Sequence, residues 1–135
     1  MTLKSLKDYI KEISDFDGSF YIGKIDKTKD KAMCFYPNKS PKAKRNVVGG
    51  KANKSFTTKA VTILLRYGQN ADMAEDMASQ VQNFFDEKTL IIDNRRVFVI
   101  PRYEEPIPLG TDDRGIYEYS FIFDFYENKR SEING

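Results

Sequence analysis

Apolar residues recur at helical spacing at the start of the chain: Leu3, Leu6, Ile10 and Ile13 share one face. Ser5 and Asp8 have the spacing of a capping box, with Thr2 as a competing start, and Asp17-Gly18 ends the helix. Two apolar runs follow, SFYIGKI (19–25) and AMCFYP (32–37). Both read as strands, and the polar DKTKDK between them suggests a hairpin. TTKAVTILLRYG (57–68) alternates, with Val61, Ile63, Leu65 and Tyr67 on one face and Thr62, Leu64 and Arg66 on the other. A second helix is predicted over about 71–86. Asn70 is its N-cap, acids fill its first turns, and Met73, Met77, Val81, Phe84 and Phe85 form its buried stripe. In LIIDNRRVFVIPRY (90–103), Asp93-Asn94 supplies a hairpin turn. EEPIPLGTDDRG (104–115) reads as a Pro-rich connection. The final strand places Tyr117, Tyr119, Phe121, Phe123 and Phe125 on one face, so it belongs at the centre of the packed side of a sheet.

This order predicts one α+β domain over residues 1–127, a mainly antiparallel sheet flanked by two helices. A frayed tail is expected from 128 to 135. Residues 38–56 carry Pro41, Gly49-Gly50 and a dense set of bases, and read as an exposed arm. A chain of 135 residues with 18 aromatics is long enough to bury a core unaided. No apolar run approaches the roughly 20 residues of a membrane span, and the acids among the first lysines argue against a signal peptide.

Charge changes the picture. Residues 31–71 carry nine bases and no acid, whereas residues 72–135 carry seven bases and fourteen acids. Clustered like charge repels itself, so it is used against a polyanion or an acidic neighbour, or is diluted in a solvated loop. Histidine is absent and Cys34 is the single cysteine. Ser-His-Asp and Cys-His nucleophiles, Cys/His zinc sites and intrachain disulfides are therefore excluded. Gly49-Gly50 matches no phosphate-binding motif. The pairs Glu104-Glu105 and Asp112-Asp113 could in principle hold a divalent ion, but adjacent loop acids are ordinarily just solvated. Bases interleaved with Phe35, Tyr36 and Phe56 resemble the raw materials of RNA recognition, without its Gly-aromatic consensus.

The run RRVFVIPRYEEPIPLGTDDRGIYEYSFIFDFYEN resembles the minor capsid proteins of tailed phages and prophages of Gram-positive bacteria, whose relatives include tail terminators. PIPLGTDDRG leading into an aromatic alternating strand is its most specific part. The upstream order FYIGKI, FYP, Gly-containing loop and TILLRYG is similar too, and the resemblance covers about residues 16–127. It implies a sheet flanked by helices and a structural role in the virion, without catalysis or cofactor. The implied assembly is a ring, six subunits being the expected number. It would cap the tail tube, dock to the head connector at the head–tail junction and let DNA through its hole without sequence-specific binding. The protein would be made in the bacterial cytoplasm and would have no membrane partner. A connector adaptor and a small nucleic-acid-binding module are the competing expectations. A closed ring uses head-to-tail contacts. Lys42, Lys44, Arg45, Lys51 and Lys54 on the arm are the expected cationic side of such a contact, with Glu104, Glu105, Asp112 and Asp113 opposite.

Overall fold

The computed structural model describes residues 1–38 and 56–132; the predicted arm, with Lys42, Lys44, Arg45, Lys51 and Lys54, lies outside the described residues. The architecture is the expected α+β one, a curled sheet with two helices on one face. Helix α1 spans Leu3–Ile13 and is capped by Thr2, whose hydroxyl accepts the Ser5 N–H at 3.0 Å. Ser5 therefore closes the capping box as its third residue, and the competing start is the correct one. The helix stops at Ile13, short of Asp17-Gly18. Phe16 leaves the helical path to pack its ring against Phe20 and Tyr67.

Among the described residues seven strands follow: β1 (Ser19–Ile22), β2 (Lys31–Pro37), β3 (Phe56–Tyr67), then after α2 (Ala71–Phe85) β4 (Thr89–Ile92), β5 (Arg95–Pro101), β6 (Ile107–Thr111) and β7 (Tyr117–Glu132). The sheet order is β1-β2-β3-β7-β5-β4, with β6 also on β7. β7 is central and long, flanked by β3 on one side and by β5 and β6, end to end, on the other. It continues to Glu132, so residues 128–132, assigned to a tail by sequence, extend the sheet.

Three other expectations change. β1 and β2 pair in parallel rather than as a hairpin. β1 has only four residues, so the eight residues between the strands can run back along it; eight residues span up to about 27 Å and four strand residues about 13 Å. Gly18 makes the start of β1 possible, because a Cβ there would lie 2.5 Å from the Lys31 carbonyl oxygen. The Pro-rich connection contains β6. Proline is tolerated there because no strand covers the outer side of β6 among the described residues. A register shift between Pro108 and Gly110 absorbs the irregularity, with Gly110 at φ 84°. Helix α2 is turned relative to its predicted stripe. Ala74, Ala78, Val81, Gln82 and Phe85 are buried, while Met73 is 52% exposed. Small alanines let the helix close on the sheet, leaving Met77 and Phe84 on its shoulder.

The predicted core is otherwise present. Val61, Ile63 and Leu65 of β3 and Phe121, Phe123 and Phe125 of β7 lie beneath the helices with Leu6, Ile10 and Phe85. Asn70 caps α2 by accepting the Met73 N–H at 3.0 Å. Asp93 and Asn94, at φ 54° and 64°, make the tight β4–β5 turn.

Candidate assembly surfaces

Among the described residues, the sheet's second face has no helix over it. It carries the exposed Ile91, Phe98 and Ile100, and a small second cluster of Ile25, Ala32 and Cys34 beneath Tyr21, Tyr36 and Leu64. Burial raises the pKa of the Cys34 thiol, the opposite of what a reactive cysteine needs.

Arg66 projects from β3 on this face, yet it is fully buried. Its guanidinium donates to Asp112 at 2.8 Å and to Glu118 at 2.9 Å, and further to the carbonyl oxygens of Lys27 and Lys29 at 3.3 and 3.5 Å. One side chain thus ties the β1–β2 loop, β3 and the turn before β7 together. Asp112 is shared: one oxygen faces Arg66, and the other accepts the N–H groups of Arg114 and Ile116, each at 2.9 Å. The Ile116 N–H first, with Arg66 adding to it, holds the Asp112 carboxyl down at about 2. A folded value below the ordinary 3.8 means that this carboxylate stabilises the fold above about pH 4 and ceases to as pH falls toward 2. Asp112→Asn should therefore melt below the parent at pH 7, and the two melting curves should converge between pH 4 and pH 2. A gap that stays constant to pH 2 would show that the charge is irrelevant.

The four acids expected at an interface separate by environment. Asp112 is mostly buried and is engaged by Arg66, whereas Asp113 is exposed in the adjacent turn. Glu104 and Glu105 are exposed on an excursion, Tyr103–Pro106, that interrupts the line of β5 and β6 along β7. The excursion is anchored at its base. The Arg102 N–H donates to the Ile122 carbonyl at 2.9 Å, the Arg102 Nε meets both Asp124 oxygens at 3.1–3.2 Å, and Gln82 Nε2 donates to the Tyr103 carbonyl at 3.0 Å. Two acids are thus displayed on a fixed stalk. Asn38 and Phe56, which flank the basic segment, sit toward the other end of the sheet: Phe56 pairs with Asn128 on β7, whereas Asp112 and Asp113 precede Tyr117. Eleven strand steps separate those two rows, about 36 Å.

Among the described residues, no group of three His, Cys, Asp or Glu side chains is placed to hold a metal ion. No helix there is long and apolar enough to cross a membrane. A family model described as bacteriophage tail terminator protein matches residues 4–126.

The chain belongs to the bacteriophage tail terminator family. Nothing matches it among the curated proteins or the solved structures. The match agrees with the tail-terminator part of the resemblance and extends it through α1, without bearing on a Gram-positive host. Family membership makes the protein a structural component of the phage tail, with a place in the virion. It also implies self-association and contact with other tail or head proteins. Sequence reasoning missed Arg66 as the organiser of the turn that carries Asp112 and Asp113. The available signal was an arginine on the polar face of β3, in register with Glu118 once the aromatic rows of β3 and β7 are aligned.

Proposed function

We propose that the protein forms a closed ring of six subunits that caps the tail tube, stops its growth and presents a docking face to the head connector, with DNA passing through the central hole. The observation that carries this reading, beyond family membership, is the polarity of each subunit. The exposed Glu104, Glu105 and Asp113 stand on the β6 side and at the Tyr117 end of the sheet, and the acid-free basic segment is rooted toward the other end. Different surfaces of opposite charge suit head-to-tail contact, which closes into a ring where the rotation between subunits allows it. Light scattering and electron microscopy of the purified protein, alone and with tail-tube protein, test it. Rings with a central hole on tube ends are expected, and a protein that remains monomeric and leaves tube length unregulated would refute the reading.

In this reading Lys42, Lys44, Arg45, Lys51 and Lys54 meet an acidic surface of a neighbouring subunit or of another junction component. Ion pairs at a rim govern on-rate and register more than affinity. Reversing Lys42, Lys44 and Arg45 to glutamate should slow assembly or docking at low salt, and the deficit should shrink near 1 M salt, where the Debye length is about 3 Å. Equal behaviour of variant and parent at low salt would remove the basic segment from the interface.

The six bases of residues 39–55, with no acid among them, also favour a second reading, in which the segment holds nucleic acid. Retention of DNA whose affinity falls steeply with salt would support it. An adaptor seated on the connector would give rings on heads and none on tubes.

A further inference from the structure

Among the described residues the outer sides of β1, β4 and β6 carry no strand, and the β1 and β6 edges lie at the same level. Ser19 of β1 is in one row with Ala32, Arg66, Glu118 and Gly110 of β6, and Tyr21 is in one row with Cys34, Leu64, Ser120 and Ile107. Among the described residues, neither β1 nor β6 has a strand on its outer side. The lengths are comparable, four and five residues, and β1 and β6 run in opposite directions. Successive subunits arranged head to tail would therefore bring β6 of one beside β1 of the next as an antiparallel pair. Pro108, in the row of Phe20, can donate no N–H to such a ladder.

The excursion meets a matching feature in this arrangement. Tyr103–Pro106 leaves β7 at Ile122 and β6 rejoins it at Ser120, so it stands level with Phe121, whose row ends in Ile22 on the β1 edge. Just past Ile22 lies an open basin of about 700 Å³, lined by Tyr21, Lys24, Ile25, Lys27 and Tyr36 together with Asp26. The Asp26 carboxylate is turned back onto Thr28, at 2.6 Å from its hydroxyl and 2.9 Å from its N–H. Lys24 and Lys27 are exposed at the rim. The excursion offers an exposed aromatic ring, Tyr103, beside two exposed acids. An aromatic anchor beside two acids fits an apolar basin rimmed by two lysines.

We infer that the subunit contact is made by β6 and the Tyr103–Pro106 excursion of one copy against β1 and the Tyr21–Lys24–Lys27–Tyr36 basin of the next. This rests on the ring reading above and names its interface. In a Cys34→Ala background, Tyr21→Cys and Ile107→Cys are made separately and mixed before assembly. The mixture is expected to form a reducible disulfide dimer on oxidation, and neither variant alone should. Rings that assemble normally without the mixed cross-link, or a single variant that cross-links to itself, would overturn this contact and leave the ring standing. Absence of rings from the parent protein, alone and on tail tubes, would remove ring and contact together. A charge swap gives an independent readout with folded variants. Glu104→Lys with Glu105→Lys, or Lys24→Glu with Lys27→Glu, should slow low-salt assembly about tenfold, because like charges then face each other. Combining all four substitutions should recover most of the rate, and a combination slower than either pair would count against the pairing.

Discussion

Arg66→Ala is expected to lower folding stability by about 3–5 kcal/mol, the largest effect of any single polar substitution in the described core. Removing the guanidinium leaves Asp112 and Glu118 facing each other without their cation, and leaves the Lys27 and Lys29 carbonyls without that donor. Two mostly buried carboxylates at one site then repel each other. In a chain of this length the loss corresponds to roughly a 10–18 °C fall in melting temperature. Arg66→Lys should fall between, because an ammonium keeps the charge but cannot reach both carboxylates and two carbonyls in one planar fork. Thermal melts at pH 7 check both variants. A decrease for Arg66→Ala below about 1 kcal/mol would mean that the cluster is worth no more than an exposed ion pair.

The second large effect is expected at Phe123. Its ring sits at the middle of the aromatic row, 4.8 Å from Phe85, 5.9 Å from Phe121 and 6.5 Å from Phe125 between centroids, and it is fully buried. Phe123→Ala removes the ring joining α2 to the central strand and leaves a cavity among side chains held by two layers. A loss of about 3–5 kcal/mol follows. Phe123→Leu refills most of the volume and should lose under about 1.5 kcal/mol. Urea unfolding should show a lower midpoint with an unchanged slope. Equal stability of the alanine variant would mean that α2 can settle into the vacated space.

Elements governed by one local pattern were legible in the sequence. The period of Leu3, Leu6 and Ile10 marks α1, and the alternation in β3 and β7 marks both strands and their buried faces. Asp93-Asn94 marks its turn without reference to anything distant. What escaped depends on neighbours. β6 exists because β7 is longer than β5 and leaves a ladder to complete, so Pro106, Pro108 and Gly110 give no local sign of a strand. The parallel pairing of β1 follows from its short length and from Gly18 lying close to Lys31, and an apolar run carries no direction. The buried face of α2 is chosen by how near the helix comes to the sheet, which favours Ala74 and Ala78 over the more hydrophobic Met73. Among the expected interface acids, Glu104, Glu105 and Asp113 stand outward. Asp112 differs because Arg66, remote in sequence, reaches its turn.

Because β5 and β6 follow a single line along β7 and only Tyr103–Pro106 departs from it, residues can be added, removed or exchanged there without moving either strand's register. The same scaffold could then carry a different lock from one phage lineage to another. In the proposed contact, kinship between such proteins would survive in the rows on either side, while this short stretch drifted to match the neighbouring subunit.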